Sequence, residues 1–266
     1  METSLFDLSG KVAVVTGGHS WLGFDMASIL AEHGCSIIIA SRSVDKIKKA
    51  ANEINEKYSV DTYYIPFDQT SPESCQKMAS EAYAWKGHID ILINNSGGGS
   101  GASEGDFLKR DPRDMASLIT TNLIGAMFCT QAIGKYMVKN EGGKIVNIGS
   151  IAGIVGRDRR MYRRNNKMEQ PIDYAASKAG VIGMTRDLAA YFAPYNIQVN
   201  TISPGGFDKG DLPEGFVSDY ADETMKGRMG IMGQDIKGAA LFLCSSASDY
   251  VSGHNLVVDG GFTVYK

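Results

Sequence analysis

The sequence predicts an α/β protein built on one doubly wound parallel sheet with helices on both faces. Three observations predict this class. Short apolar runs of strand length alternate with segments of helical periodicity along the chain. These runs are apolar nearly throughout, as strands buried on both faces are. No linker, repeat or low-complexity tract interrupts the alternation, so we expect a single domain over residues 1–266.

The predicted elements follow one another in a regular order. The β-branched run 12–15 enters a turn, 22–33 has helical spacing, and 36–40 is a second strand, which completes a βαβ unit. Later helices are marked by amphipathic spacing or by start signals. These later elements are a helix at Val44–Tyr58, a strand at 63–65, a helix after Ser71-Pro72-Glu73, a strand at 89–93, a helix within Pro112–Lys139, a strand at 144–148, a helix at 174–192, a strand at 197–202, a helix at 236–244 and a strand at Asn255–Val258.

Two stretches, 153–172 and 204–233, match neither a strand nor a core helix. Both follow predicted strands, and ligands of such sheets bind beyond the carboxyl ends of the strands. We therefore expect both stretches to form walls of a substrate site. The second is rich in glycine, so it is either a lid that closes over the substrate or an ordered surface loop.

Composition and charge exclude several classes of protein. Of the 266 residues, 43% are hydrophobic and 21% are charged, which is ordinary globular usage and excludes a disordered or collagen-like chain. The net charge of −3 supplies no overall field for nucleic acid or an anionic membrane. We expect neither as a partner.

The cysteines and the N-terminal sequence bear on where in the cell the protein is expected to be. Cys35, Cys75, Cys129 and Cys244 form no CxxC pair, so we expect buried free thiols in a reducing compartment and no metal site. The chain shows no basic-then-apolar leader and no apolar run of about 18 residues. We therefore expect a cytoplasmic protein.

Glycine is in excess, at 31 residues, and many follow predicted strands, among them Gly99 and Gly101. The first strand runs into Thr16-Gly17-Gly18-His19-Ser20-Trp21-Leu22-Gly23, which opens a helix. Glycines here allow a tight turn and close approach of the backbone to a pyrophosphate, whose charge the helix N-terminus meets. Taken alone, the pattern also fits a left-handed turn that binds nothing.

The end of the second strand carries Ser41-Arg42, with no acid before Asp45. In dinucleotide-binding sheets an acid here binds the ribose hydroxyls of NAD, whereas a base accepts the 2′-phosphate of NADP. Arg42 can hold a phosphate through two parallel hydrogen bonds. We therefore favour NADP(H) over NAD(H), with Ser41 and His19 assisting. The alternative for Arg42 is a solvated surface residue.

Tyr174 and Lys178 lie four positions apart in a predicted helix, hence on the same face. A neighbouring ammonium favours the phenolate and lowers the pKa of a tyrosine, which is otherwise near 10. The pair is therefore suited to proton transfer at neutral pH.

Together these segments resemble the short-chain dehydrogenase/reductase family over almost the whole chain. The glycine-rich turn is similar to the family's TGxxxGxG, with Trp21 where the middle glycine is expected, and Asn94-Asn95-Ser96-Gly97 is similar to its NNAG. The resemblance implies a Rossmann-type fold, a nicotinamide cofactor and a homo-oligomer, either dimer or tetramer. It places Asp68 at the adenine and Pro204-Gly205 at the carboxamide. The implied cofactor-binding residues are Gly17, His19, Ser20, Trp21, Leu22, Gly23, Ser41, Arg42, Asp68, Asn95, Ser96, Gly97, Tyr174, Lys178, Pro204 and Gly205.

Trp21 is the main departure from the family pattern. We expect the nucleotide still to bind, with the turn displaced or the indole lying over the ligand. The alternative is an indole packed outward against a neighbouring loop. A catalytically silent nucleotide-binding sensor or scaffold is the non-enzyme hypothesis that this substitution raises.

The resemblance also implies the chemistry, which is interconversion of a ketone and a secondary alcohol. Tyr174 would exchange the proton with the substrate oxygen, Lys178 would lower its pKa and hold the nicotinamide ribose, and Ser150 would polarise the same oxygen. Asn122 matches the residue that steadies a proton-relay water, although a helix amide bonded to backbone is the alternative. A catalytically silent protein would not need all four of these residues, so we favour the enzyme over the sensor or scaffold.

Tyr162 competes with Tyr174 for the catalytic role. It lies 12 positions after Ser150, nearer the family's usual interval than Tyr174, which lies 24 positions after it. Four positions beyond Tyr162 is Asn166, which carries no charge. We therefore keep Tyr174 and interpret the extra length as an insertion.

The insertion carries six basic residues against one acid over residues 157–167. Arginine suits carboxylate or phosphate, so Arg157, Arg160 and Tyr162 are candidate substrate residues for an anion. The alternative is a patch that is solvated or paired with a neighbouring subunit. A long segment ending at Pro171 resembles sugar and sugar-acid reductases of the gluconate 5-dehydrogenase type. The runner-up is a 3-oxoacyl-(acyl-carrier-protein) reductase, whose patch would face the carrier's acidic helix.

Overall fold

Seven apolar runs form one parallel sheet in the computed structural model, which describes residues 4–98 and 104–265; Gly99 and Gly101 lie outside these ranges. The strands are β1 Val12–Thr16, β2 Ser36–Ser41, β3 Thr62–Pro66, β4 Ile91–Asn94, β5 Gly143–Ile148, β6 Ile197–Pro204, β7 Phe207–Asp208, β8 Gly230–Ile231 and β9 Asn255–Val258. The sheet order is β3-β2-β1-β4-β5-β6-β9, with β7 and β8 in a separate two-stranded ladder. All neighbouring strands are parallel.

Nine α-helices connect the strands within the described ranges. They are α1 Trp21–Glu32, α2 Val44–Tyr58, α3 Pro72–Lys86, α4 Pro112–Ile119, α5 Gly125–Lys139, α6 Arg159–Arg164, α7 Ile172–Phe192, α8 Glu214–Asp222 and α9 Lys237–Cys244. A π-helical turn, Thr120–Ile124, joins α4 to α5. By length and composition alone, the continuous run Pro112–Lys139 could cross a membrane. In this fold it flanks the sheet, where α5 packs against α3 and α4 against α7.

Each face of the sheet has its own apolar core. On the central strand β1, Ala13 and Val15 pack with residues of α1, α2 and α9, whereas Val12 and Val14 pack with residues of α3, α5 and α7. All five residues of β1 are buried. This confirms the predicted doubly wound sheet and explains why its strands are apolar nearly throughout. The four cysteines are buried free thiols, as predicted.

The strand order reverses next to β1, since β2 and β3 lie on one side of it and β4, β5 and β6 on the other. In such sheets the crevice beyond the carboxyl ends at this point binds ligands. Thr16 ends β1 and Asn94 ends β4. The segments that follow these two residues therefore face the crevice.

The two stretches predicted as walls contain short helices that the sequence patterns missed. In 153–172, four of the six residues of α6 are arginines, and in 204–233 α8 has only nine residues, too few to show a clear period. Their apolar side chains form a third cluster, the loop core. Its buried residues are Ile151, Met161, Tyr162, Phe216, Tyr220 and Met229. The two walls thus brace each other, which favours the ordered loop over the lid.

Candidate active site

The turn between β1 and α1 is locked to the segment after β4. Gly17 has a φ of +63°, in the left-handed region that favours glycine. At Gly23 a Cβ would collide with the Asn95 amide. That amide donates to the carbonyls of Thr16 (3.0 Å) and Gly17 (3.2 Å), and Thr16 Oγ1 accepts from the N–H groups of Asn95 and Ser96. The two glycines therefore allow a close approach of turn, helix and strand.

The first backbone N–H groups of α1 are available to a ligand. Ser20 is the N-cap, but its side chain makes no capping hydrogen bond. Leu22 turns its side chain to the core, where it packs against the cluster of α1, α2 and α9. Uncapped N–H groups and the helix dipole together attract phosphate. This end of α1 fits the pyrophosphate of a dinucleotide.

Trp21 adopts the left-handed conformation that favours the glycine expected there, with a φ of +51°. For a residue with a side chain, such a conformation costs about 1–3 kcal/mol. The indole is 52% exposed, and Lys209 Nζ lies 4.1 Å from its ring centroid. The side chain therefore leans outward against the wall 204–233 through a cation–π contact. The indole therefore packs outward against a neighbouring loop, which was the alternative to an indole lying over the ligand.

The adenosine end of the crevice carries Ser41, Arg42 and Asp68. Ser41 is buried at the end of β2, and Arg42 is exposed, without a carboxylate partner in the part of the chain that the structure describes. The Asp68 carboxylate accepts two hydrogen bonds from Thr70, from its N–H and its hydroxyl. These bonds and, more weakly, the charge of Arg42 hold the pKa of Asp68 below its usual value.

His19 lies beside this end with an unsatisfied ring nitrogen. Its Nδ1 is buried and has no hydrogen-bond partner among the described residues. Burial, followed by the charge of Lys46, lowers the pKa of His19, which favours the neutral ring. His19, Trp21 and Lys46 line a cleft of about 410 Å³. A buried ring nitrogen without a partner, next to cationic groups, is suited to a phosphate-bearing ligand.

Asn122 clamps the glycines that follow β4. It is buried in the π-helical turn, where Oδ1 accepts from Gly98 N (2.8 Å) and Nδ2 donates to Gly98 O (3.1 Å) and Ser177 Oγ (3.3 Å). A Cβ at Gly97 would collide with Oδ1. The side chain is thus bonded to backbone, as in the alternative considered for it. π-Helical turns of this kind are frequent at functional sites.

Ser150, Tyr174 and Lys178 converge beyond the carboxyl end of β5. Ser150 Oγ accepts from Ala152 N at 3.2 Å, and its side chain lowers the pKa of Tyr174. Lys178 is buried; its Nζ donates to Ile148 O at 2.7 Å and lies 5.8 Å from the Tyr174 ring centroid. The predicted catalytic residues are therefore brought together.

The electrostatics of Tyr174 differ from the sequence-based expectation. Burial raises its pKa, and the hydrogen bond with Ser150 and the charge of Arg157 lower it. Burial also lowers the pKa of Lys178, to about 8. The pKa of Tyr174 is therefore raised and not lowered as expected from Lys178, because burial outweighs the effects of Ser150 and Arg157. The cation that acts on the phenol is Arg157.

Pro204 and Gly205 start the second wall in a fixed direction. Pro204 ends β6, and Gly205 N donates to Val258 O at 2.9 Å. Gly206 N donates to the Tyr220 hydroxyl at 2.5 Å, so α8 holds the chain directly after the turn. These contacts fix the direction of the chain directly after β6; the binding of the carboxamide here stays a prediction.

Four of the six cations of the basic insertion form ion pairs. Its ion pairs are Arg159 and Arg163 with Glu169, Arg160 with Asp158, and Arg164 with Asp219. The prediction that Arg160 meets the substrate is wrong, because its side chain is 84% exposed and bound to the N-cap of α6. Most of the predicted cationic patch is therefore a set of local ion pairs.

Arg157 is the exception among the arginines of the insertion. It is half-buried, and its guanidinium donates to the side-chain and backbone oxygens of Gln170. In 4–98 and 104–265 no carboxylate forms an ion pair with it, and its charge reaches Tyr174. A guanidinium without a carboxylate partner, whose charge acts on the phenol, is suited to an anionic group of a ligand.

Tyr162 packs inside the loop core. It is 6% exposed, and the edge of its ring meets Phe216 with 5.1 Å between centroids. Its neighbour four positions on, Asn166, has a φ of +50° just beyond the end of α6. Tyr162 therefore forms part of the wall, and the position that corresponds to Lys178 holds the uncharged Asn166. This arrangement favours Tyr174 as the proton donor.

Two polar features of the site escaped sequence reasoning. Arg110 and Asp173 form a buried pair directly before Tyr174. Asn94 donates to Asn147, and Asn147 donates to Thr185, so a chain of buried hydrogen bonds runs from β4 through β5 to α7. An acid before a Tyr-x-x-x-Lys segment was visible in the sequence, but its partner lies 63 positions away. Nothing in the sequence links the two.

Comparison with known proteins gives the family. The family model described as enoyl-(acyl carrier protein) reductase matches residues 18–263. The 3-oxoacyl-[acyl-carrier-protein] reductase of Aquifex aeolicus is 34% identical over 258 residues, 96% of this chain and 98% of that protein. The 2-dehydro-3-deoxy-D-gluconate 5-dehydrogenase of Escherichia coli is 34% identical over 270 residues, 98% of this chain and 99% of that protein. The chain belongs to the short-chain dehydrogenase/reductase family.

As a short-chain dehydrogenase/reductase it is an oxidoreductase of a family that binds NAD(P). A solved relative has the same fold: a gluconate 5-dehydrogenase from Burkholderia cenocepacia, in complex with NADP and tartrate. It matches with a TM-score of 0.86 at 32% identity, over 97% of each chain. The predicted family and Rossmann-type fold are thereby confirmed.

Proposed function

We propose that this oxidoreductase interconverts a ketone and a secondary alcohol on a sugar-acid substrate and prefers NADP(H). The observation that carries the substrate class is Arg157, a half-buried guanidinium without a carboxylate partner among the described residues, whose charge reaches Tyr174. It would receive the substrate carboxylate while Tyr174 faces the carbonyl oxygen. The names of the sugar-acid relatives support the same class.

The chain's own residues hold and move the proton. When bound, the nicotinamide cofactor supplies or accepts the hydride. Tyr174 Oη gives its proton to the substrate oxygen in reduction and takes it back in oxidation, and Ser150 Oγ donates a hydrogen bond to the same oxygen. The charge of Arg157 stabilises the phenolate that remains, and Lys178, whose pKa is about 8, stays mostly protonated at neutral pH and would hold the nicotinamide ribose.

The cofactor preference rests on the adenosine end of the crevice. Arg42 is exposed and has no ion-pair partner in the described chain, and no acid stands at the end of β2 to bind ribose hydroxyls. His19 offers a buried ring nitrogen without a partner beside Lys46. A 2′-phosphate would satisfy both groups, whereas NAD(H) would leave Arg42 solvated.

A second candidate is the reduction of a 3-oxoacyl group on a carrier protein, which the name of the Aquifex aeolicus relative favours. Internal pairing of the insertion argues against it. Four of its arginines already bind Asp158, Glu169 or Asp219, so a carrier's acidic helix would have to compete with these carboxylates.

The assembly and location belong to the same proposal. We propose a cytoplasmic homo-oligomer, a dimer or tetramer, that acts on a small molecule and binds neither nucleic acid nor membrane. The net charge of −3 supports the last two points, since it provides no attraction to polyanions.

A substrate screen tests the proposal. NADPH oxidation by the purified chain would be followed with keto-sugar acids, matched neutral ketoses and 3-oxoacyl thioesters. We expect the highest kcat/KM with a keto-sugar acid and a lower value with the neutral ketose of the same length. Turnover confined to the thioesters would overturn the substrate class and support the second candidate.

A further inference from the structure

We infer that the buried pair Arg110–Asp173 is a positioning device for Tyr174, which it holds in register with Ser150. This inference rests on the proposed catalytic role of Tyr174. Asp173 is the residue directly before Tyr174 on the first turn of α7. Arg110 comes from the described segment 104–111 that leads into α4, so the pair joins this segment to α7.

The geometry of the pair is that of a rigid two-point contact. Arg110 Nε donates to Asp173 Oδ1 and Nη2 donates to Oδ2, each at 2.8 Å. The side chains are only 1% and 4% exposed. The remaining Nη1 donates to Glu104 O at 3.1 Å, which fixes the arginine to its own segment. Parallel bonds of this kind set direction as well as distance.

The start of α7 lacks the usual means of fixing a helix end. Its N-cap is Pro171, which makes no side-chain capping bond. Tyr174 lies three residues after this uncapped start, within the turn that frays most readily. The pair with Arg110 replaces the cap as the contact that holds this turn in place.

A second contact holds α7 just after Tyr174. Ser177 Oγ donates to Tyr174 O at 2.8 Å and accepts from Asn122 Nδ2 at 3.3 Å. Asn122 lies in the π-helical turn that follows α4, and Asp111, the N-cap of α4, directly follows Arg110. One continuous element, 110–124, therefore grips α7 on both sides of the proposed proton donor.

A purely stabilising role is a weak explanation for such a pair. Two charges buried together gain little net stability, and replacing both with apolar residues of similar size is often neutral or stabilising. Removal of one partner leaves a buried charge uncompensated and is strongly destabilising. Stability and positioning can therefore be separated by comparing single and double replacements.

The test compares the full-length wild type with Arg110→Lys, with the double variant Arg110→Met/Asp173→Leu, and with Arg113→Met as a matched control. Arg113 pairs with Asp111 on the same element, but its side chain is 90% exposed. Thermal unfolding, NADPH binding, kcat, KM and the pH profile of kcat would be measured with the most active carbonyl substrate. The control should match the wild type in all of these.

We expect the double variant to bind NADPH as the wild type does and to lose kcat by about 10- to 100-fold, as for a misplaced reacting group. Arg110→Lys keeps the charge but loses the two-point contact, so kcat should fall with KM nearly unchanged and the pH profile should shift. Wild-type kcat in a folded double variant would overturn the inference. If the double variant does not fold, unchanged kcat and pH profile in Arg110→Lys would overturn it.

The inference and the proposed function fail in different ways. Tyr174→Phe must lose turnover if the proposed function holds. With that loss established, a wild-type pH profile and kcat in Arg110→Lys would remove the positioning role alone. Full activity in Tyr174→Phe would remove both.

Discussion

The two ends of the crevice differ in how many of their cationic side chains are paired with carboxylates. At the catalytic end Arg110 is paired with Asp173 and Arg160 with Asp158, and of the insertion's arginines only Arg157 lacks a carboxylate among the residues described. At the adenosine end Arg42 is exposed without a described partner, and His19 has a buried nitrogen without one. The difference shows that a count of basic residues overestimates the positive charge that is available to a ligand. The cations left without internal partners mark where a ligand's charge would be received.

The largest effect should come from Tyr174→Phe. General acid–base groups contribute about 10²- to 10⁴-fold to the rate, so kcat should fall by at least about 10²-fold. The affinity for NADPH should stay near the wild-type value. Steady-state kinetics and a fluorescence titration of NADPH measure the two quantities. Tyr162→Phe is the matched control at the same end of the crevice and should keep turnover. Substantial activity in Tyr174→Phe with a loss in Tyr162→Phe would reverse their roles.

Because of Lys178, the free energy of unfolding should depend on pH in the alkaline range. Its pKa is lowered by burial from 10.5 to about 8, so the folded chain binds fewer protons than the unfolded chain between these values. Unfolding free energy therefore rises with pH across this window, by about 3 kcal/mol for a complete shift. Denaturant unfolding of wild type and Lys178→Met at pH 7.5 and 10.5 isolates the contribution. An equal pH dependence in both would contradict the buried ammonium.

At the adenosine end, Arg42→Ala should weaken NADPH binding by about 10- to 100-fold, the value of a lost charge-assisted hydrogen bond. NADH affinity should stay nearly constant, because it has no 2′-phosphate. Titration of both cofactors with wild type and variant measures the ratio, and Lys11→Ala serves as an exposed cationic control away from the crevice. An unchanged NADPH affinity would show that this unpaired cation does not mark a ligand position.

The smallest effect should be Trp21→Gly. Relief of the left-handed backbone at φ +51° should stabilise the chain by about 1 kcal/mol, after the greater freedom of glycine in the unfolded state is counted. The loss of the cation–π contact with Lys209 reduces this gain. Lys209→Met separates the two contributions, since it removes the contact and keeps the strain. A clear loss of stability in Trp21→Gly would show that the contact outweighs the strain.

Much of this fold could be predicted from the sequence because its signals are local. The parallel sheet follows from apolar runs, and Tyr174 with Lys178 follows from helical spacing. Local patterns did not show which charges pair. Arg160 was predicted to contact the substrate, yet it binds Asp158 two residues away. Arg110 meets Asp173 only because the segment before α4 packs against α7. The pKa of Tyr174 likewise depends on burial that spacing does not encode.

The most direct test of the central claim compares two arginines of the insertion, Arg157→Gln and Arg160→Gln, with a keto-sugar acid and its neutral ketose. We predict that Arg157→Gln lowers kcat/KM for the acid by about 100-fold, as expected for a lost buried charge pair, and changes that for the neutral ketose far less. Arg160→Gln should resemble the wild type with both substrates. Equal losses with acid and ketose in Arg157→Gln, or no loss with either, would contradict the account.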